Sequence, residues 1–222
     1  MKRFLRENGL SLVLFAGFFF TFLVGQTLTG LHDYNDDREE HGRHPVALSA
    51  YLTSGHFMEA VFENWESEFL QMGFYVVLTV FLRQKGSAES KKMRGKEEVD
   101  EDPEKHRNDP KAPSPVRRGG IALKLYENSL GLAFLVLFLA SFLGHASGGL
   151  SLYNEERLDH GQAEVTLGEY MKSARFWFES FQNWQSEFLA VGSIVVLSIF
   201  LRQKGSPESK PVHAPHDQTG TG

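Results

Sequence analysis

One stretch of this chain occurs twice. Residues 64–91 and 183–210, offset by 119, both read N-W-x-S-E-F-L, then an apolar segment, then F-L-R-Q-K-G-S-x-E-S-K, with 20 of 28 positions identical. Shared hydrophobicity does not reproduce an ordered string of polar residues, so the two segments read as copies. The offset holds upstream through Gly25/Gly144, Tyr34-Asn35/Tyr153-Asn154, His41-Gly42/His160-Gly161, Tyr51/Tyr170 and Phe57/Phe176. A one-residue slip then aligns Glu7-Asn8 with Glu127-Asn128. The chain is thus read as repeat 1 over residues 1–91 and repeat 2 over 120–210. Residues 92–119 are rich in Lys, Glu, Asp and Pro and nearly devoid of apolar side chains. Such a segment buries too little to offset its ordering entropy, and it is expected to be a disordered linker, as is the tail 211–222.

Each repeat begins with a long apolar run, 10–31 and 125–150, long enough for a helix to cross a hydrocarbon core of about 30 Å. The start Met1-Lys2-Arg3-Phe4-Leu5-Arg6 has the look of a signal peptide. The run behind it is longer than a signal's apolar region, however, and its relative recurs in mid-chain. A second helix is expected at 57–82 and 176–201. Its strictly apolar part, 69–82 or 188–201, spans only about 21 Å at 1.5 Å per residue. Extending it backwards brings Glu, Asn, Gln and Ser into the helix. The expected fold is an all-α integral membrane protein, with four transmembrane helices as two tandem two-helix repeats of the same topology.

Charge orients this arrangement. Of 23 Lys and Arg, 18 lie in the N-terminus, the region from Arg83 to Lys124 and the stretch 202–210, and five lie in the stretches 32–56 and 151–175. The positive-inside rule puts both termini and the linker in the cytoplasm and the two acidic loops outside. Trp65, Trp184, Tyr51 and Tyr170 then fall near the outer ends of the second helices, where interfacial aromatics are common.

Three features could carry function. Gly17, Thr21 and Gly25, with Ala140, Gly144 and Gly148 at the matching register, form small-residue ridges that let membrane helices pack closely. Asn64, Ser67, Glu68, Gln71 and Tyr75 share one face of the second helix, and Asn183, Ser186 and Glu187 keep the first part of that stripe. A carboxylate at the membrane boundary is costly, so Glu68 and Glu187 either bond across the bundle or line a path. Gln26 and its counterpart His145 sit near the outer ends of the first helices, within reach of that stripe. A histidine titrates near neutral pH unless its environment shifts it, so a His145–Glu187 pair could sense or carry protons.

The rest is negative. There is no cysteine, which excludes disulfides, thiol catalysis and thiolate metal sites. The first outer loop holds His32, Asp33, Asp36, Asp37, Glu39, Glu40, His41 and His44, but in no recognised ligand spacing, and no metal is assigned. No nucleotide, hydrolase or metalloprotease motif is present, and no cofactor or nucleic acid is expected.

The combination of E-N-x-L near the N-terminus, Y-N after the first span, N-W-x-S-E-F-L and F-L-R-Q-K-G-S-x-E-S-K resembles a bacterial domain-of-unknown-function family of small membrane proteins, over roughly 180 residues. The resemblance implies the bacterial cytoplasmic membrane and no assigned activity. The leading expectation is a non-enzymatic membrane protein, structural or partner-binding in the cell envelope, whose partners are the bilayer and a second copy or another membrane protein. The alternative is a small proton or cation channel or transporter that uses the polar stripe.

Overall fold

The computed structural model describes residues 2–220, and every regular element among them is helical. The main helices are α1 (Gly9–Glu40), α2 (Leu48–Tyr51), α3 (Gly55–Phe81), α4 (Ser129–Asp159), α5 (Leu167–Tyr170) and α6 (Ala174–Phe200). Short helices, Lys2–Glu7 and Gly120–Glu127, precede α1 and α4. Each is set off by an asparagine whose amide donates to the carbonyl four residues back: Asn8 to Phe4 at 3.0 Å, Asn128 to Lys124 at 2.9 Å.

Among the described residues three helices, α1, α4 and α6, are long and apolar enough to cross a membrane, where four were expected. The exception is α3, which has the length of α6 but carries Asn64, Glu66, Glu68 and Gln71 in one stretch. At the equivalent positions α6 has Ala190 for Gln71 and Ile194 for Tyr75, and those two exchanges do most to separate the helices in hydropathy. The first helices also run further than expected. Both α1 and α4 continue through the polar stretches up to Glu40 and Asp159, so the acidic stretches 32–56 and 151–175 are largely helical.

Gly42 and Gly161, with φ of 72° and 66°, end α1 and α4. The following residue closes a 6→1 bond in each case, from Arg43 to Arg38 at 2.8 Å and from Gln162 to Arg157 at 2.7 Å. That left-handed stop favours glycine. The chain then returns along the helix it has left. The Asn35 amide donates to Val46 O (3.1 Å) and its carbonyl accepts from Val46 N (2.7 Å). Asn154 makes the same two bonds with Val165, at 3.0 and 2.8 Å.

The chain divides into two compact units, Met1–Glu63 with Leu143–Trp177, and Asn64–Phe142 with Phe178–Gly222. The first has an aromatic core of Tyr34, Tyr51, Phe57, Tyr170 and Phe176. Tyr51 and Tyr170, expected as interfacial aromatics, are fully buried in it. Each tyrosine hydroxyl lies over a glycine, Gly30 or Gly149, where a Cβ would clash with it.

The second unit buries mostly polar side chains, among them Glu66, Ser67, Ser87, Ser141, Ser198 and Lys210, while its long apolar residues are exposed. Its two R-Q-K-G-S loops fold alike. Gln84 N donates to Ser90 Oγ and Gln203 N to Ser209 Oγ, both at 2.9 Å, and Gly86 and Gly205 have φ of 86° and 85°. Residues 92–119 and the tail, expected to be disordered, carry turns and short helices at Glu98–Asp100, Pro103–His106 and Ser114–Arg118. The buried Lys210 ammonium donates to the carbonyls of Pro215, His216 and Gln218, and Thr219 Oγ1 accepts from Gly86 N at 2.9 Å. Burial pushes that ammonium below the usual lysine range.

Candidate functional site

In the first unit α3 and α4 cross on glycine. A Cβ added to Gly148 would lie 2.5 Å from the backbone nitrogen of Glu59, one on Gly144 2.5 Å from the Phe62 ring, and one on Gly55 2.5 Å from Leu152 N. The expected ridge on α4 is therefore a contact between helix backbones. On α1 the same spacing does something else: Gly17 and Gly25 have nothing within 4 Å of where a Cβ would stand. Thr21 and Thr29 donate back to the carbonyls of Gly17 (3.0 Å) and Gly25 (2.6 Å). Between them, Thr21–Gln26 is a π-helical turn, with Thr27 Oγ1 donating to Phe22 O at 2.8 Å. Gln26 ends that turn, half-buried.

The glycine crossing brings an acid and a base together. Glu59 is 7% exposed, His145 is fully buried, and a carboxylate oxygen of one lies within 4.8 Å of a ring nitrogen of the other. Glu59 Oε1 and His145 Nε2 are both sealed from solvent. The imidazole stacks on Phe176, with centroids 4.9 Å apart and planes at 29°, and Phe176 packs edge-on against Tyr170 at 5.5 Å. The ring is thus held by packing as well as by its backbone. Such a pair can share a proton or hold a cation between its two heads.

An ion-pair network lies beyond it at the polar ends of α1 and α4. Glu155 accepts from Tyr34 OH (3.1 Å), from Arg38 (3.2 Å) and from Arg43, and Arg43 also reaches Asp159. Arg175 pairs with Glu156 and lies 5.4 Å from the centroid of the Tyr153 ring. At the position equivalent to Arg175 stands His56, stacked on Tyr34 (5.2 Å) and 3.7 Å from Asp33. Burial holds the Tyr51 hydroxyl above the usual phenol range, with Asp33 adding to the effect.

The polar stripe belongs to the second unit. Of its expected members on α3, Ser67 is buried, Gln71 half-buried, and Asn64 and Glu68 exposed. On α6, Asn183 and Glu187 are half-buried and Ser186 is exposed. Sequence reasoning missed the acid that is sequestered. Glu66 has no exposed surface and accepts the indole N–H of Trp184 at 2.9 Å. Gln71 donates to the Glu187 carbonyl at 2.9 Å, and Phe74 meets Phe188 edge-on at 5.9 Å. Trp184, expected as a membrane-interface residue, is thus a hydrogen-bond donor between helices, while Trp65 packs against Phe69. Ser87 and Ser198 share a further hydrogen bond at 2.9 Å where the first R-Q-K-G-S loop meets α6. On the other flank of α3 an apolar cleft of about 420 Å³ opens against α4, over Gly73 and Gly131.

A family model described as a domain of unknown function, DUF6766, matches residues 1–221. The chain belongs to this family. The DUF6766 match runs through both occurrences of N-W-x-S-E-F-L and through Glu59, Glu66 and His145. No curated protein and no solved structure matches this DUF6766 chain.

Proposed function

We propose that this chain is a non-enzymatic, multi-pass protein of the bacterial cytoplasmic membrane, with a structural or partner-binding role in the envelope. In this reading a duplicated two-helix unit gives four crossings, α1, α3, α4 and α6, with both termini and the linker in the cytoplasm. The observation that carries it is the pairing of α3 with α6. Two of the groups that make α3 polar are taken up by its neighbour, Glu66 by the Trp184 indole and Gln71 by the Glu187 carbonyl. A polar group bonded to protein can lie in hydrocarbon because its cost does not fall on lipid, and the exposed Asn64 and Glu68 lie in the outer half of the helix in this reading, within reach of headgroups. The equivalent bonds of Asn35 and Asn154, and of the two R-Q-K-G-S loops, support the duplication. Exposed apolar side chains from Leu10 to Phe20 on α1 leave a surface for lipid, a second copy or another membrane protein.

The second reading is a proton or cation pathway along Asn64, Ser67, Glu68, Asn183, Ser186 and Glu187. It is favoured by the exposure of Glu68 and the half-burial of Glu187, which leave both acids accessible. The two readings separate in proteoliposomes. The structural reading expects proton and cation flux at background in wild type and in the Glu68→Gln/Glu187→Gln double variant alike. Flux well above background in wild type that the double variant abolishes would overturn it.

A further inference from the structure

We propose that Glu59 and His145 form a binding site for one divalent first-row transition-metal ion of the zinc class, a site independent of the scaffold reading above. Zinc bonds to imidazole nitrogen and carboxylate oxygen are about 2.0–2.2 Å long, so two ligand atoms on one ion stand at most about 4.4 Å apart. The Glu59 and His145 donors lie within 4.8 Å of each other, and a small side-chain rotation closes the site.

Both donors are in place before an ion arrives. The backbone of Glu59 is clamped against Gly148, and the His145 ring is stacked on the buried Phe176. Glu59 is 7% exposed and His145 fully buried, so little water competes with them for an ion. Imidazole selects against calcium and magnesium, which take oxygen ligands, and the chain has no thiolate to draw copper(I) or iron–sulfur chemistry. One ion per chain follows from the sequence, because the positions 119 away from these ligands hold Gln26 and Phe178.

The test uses the full chain in nanodiscs, stripped with chelator and titrated with Zn²⁺ against a chromophoric competitor. Visible absorption of Co²⁺ serves as a second readout of nitrogen and oxygen ligation. Wild type is expected to take up one equivalent. Glu59→Gln and His145→Gln are each expected to weaken binding by at least about tenfold. Glutamine already fills the equivalent place at residue 26, so H145Q preserves packing. Circular dichroism of E59Q and H145Q without metal, expected to match wild type, separates loss of ligation from loss of folding. Changing Asp36 and His41 in the acidic outer stretch should leave the affinity unchanged. Absence of saturable binding in wild type would overturn the proposal, as would full affinity in both E59Q and H145Q, or a loss caused by the Asp36 and His41 changes.

Discussion

The Trp184 indole N–H donates to the Glu66 carboxylate at 2.9 Å, and that carboxylate has no exposed surface. A buried acid held by a neighbouring helix costs free energy when its donor is removed. Trp184→Phe keeps the ring volume and deletes the donor, and should destabilise the protein by about 1–3 kcal/mol. Glu66→Gln should be milder, because an amide oxygen still accepts and α6 carries Gln185 at the equivalent position. Detergent-titrated unfolding followed by circular dichroism measures both. Equal stability of wild type and W184F would mean that this bond does not hold α3 to α6.

The glycines of α1 and α4 should behave in opposite ways. Gly148→Ala puts a methyl group 2.5 Å from the Glu59 backbone nitrogen, which cannot rotate away, and should cost about 1–3 kcal/mol by forcing α3 and α4 apart. Gly25→Ala meets open space and should raise helix stability by roughly 0.5–1 kcal/mol. Thermal denaturation of the two variants side by side should give shifts of opposite sign.

Asn35 and Asn154 each close two hydrogen bonds to a returning valine. Alanine at either position should release the local loop, at about 1–2 kcal/mol for the pair of bonds lost, and raise proteolytic cutting between residues 41 and 50 or between 160 and 169. The two variants should behave alike. A large effect at one and none at the other would mean that the equivalent geometry is not equivalent in energy.

The start of α5 should be sensitive to acid where α2 is not. Thr166 and Glu169 form a capping box, with Glu169 accepting from Thr166 N (2.7 Å) and Oγ1 (2.8 Å), which holds its carboxyl below the usual glutamate range. A depressed carboxylate pKa contributes stability that is present above the ordinary value of about 4.5 and is lost as pH falls through the folded value. Local order at 166–170, read by amide exchange, should therefore decline below about pH 4.5 in wild type and be insensitive to pH in Glu169→Ala. The equivalent positions Ala47 and Ala50 offer no such box, so 47–51 should show no such change.

The helices themselves were legible because an apolar run of more than twenty residues leaves the backbone few alternatives. The offset of 119 pairs Asn35 with Asn154, Gly42 with Gly161 and Ser90 with Ser209, but not the bonds these residues make. What remained hidden depended on contacts between distant segments. Glu66 stands one residue from the stripe at Ser67, yet it is the acid that is buried, because Trp184 approaches from that side. Glu59 and His145 lie in different halves of the chain with no ligand spacing to announce them, and only the crossing at Gly144 and Gly148 joins them. Nor does sequence spacing show that Gly30 and Gly149 make room for the hydroxyls of Tyr51 and Tyr170 in a core. The apolar criterion also excluded α3, since composition does not record that Gln71 and Glu66 bond to a neighbour.

Whether α3 crosses the membrane is the point on which the account stands, and the parity of crossings decides it. The chain has no cysteine, so single cysteines at His44, Glu97, Glu164 and Asp217 can each be labelled cleanly with a membrane-impermeant maleimide in intact cells. Four crossings predict that positions 44 and 164 label from outside, while 97 and 217 label only after permeabilisation. Three crossings, with α3 lying along one face, would expose 44, 97 and 217 and protect 164, and that pattern would contradict the account.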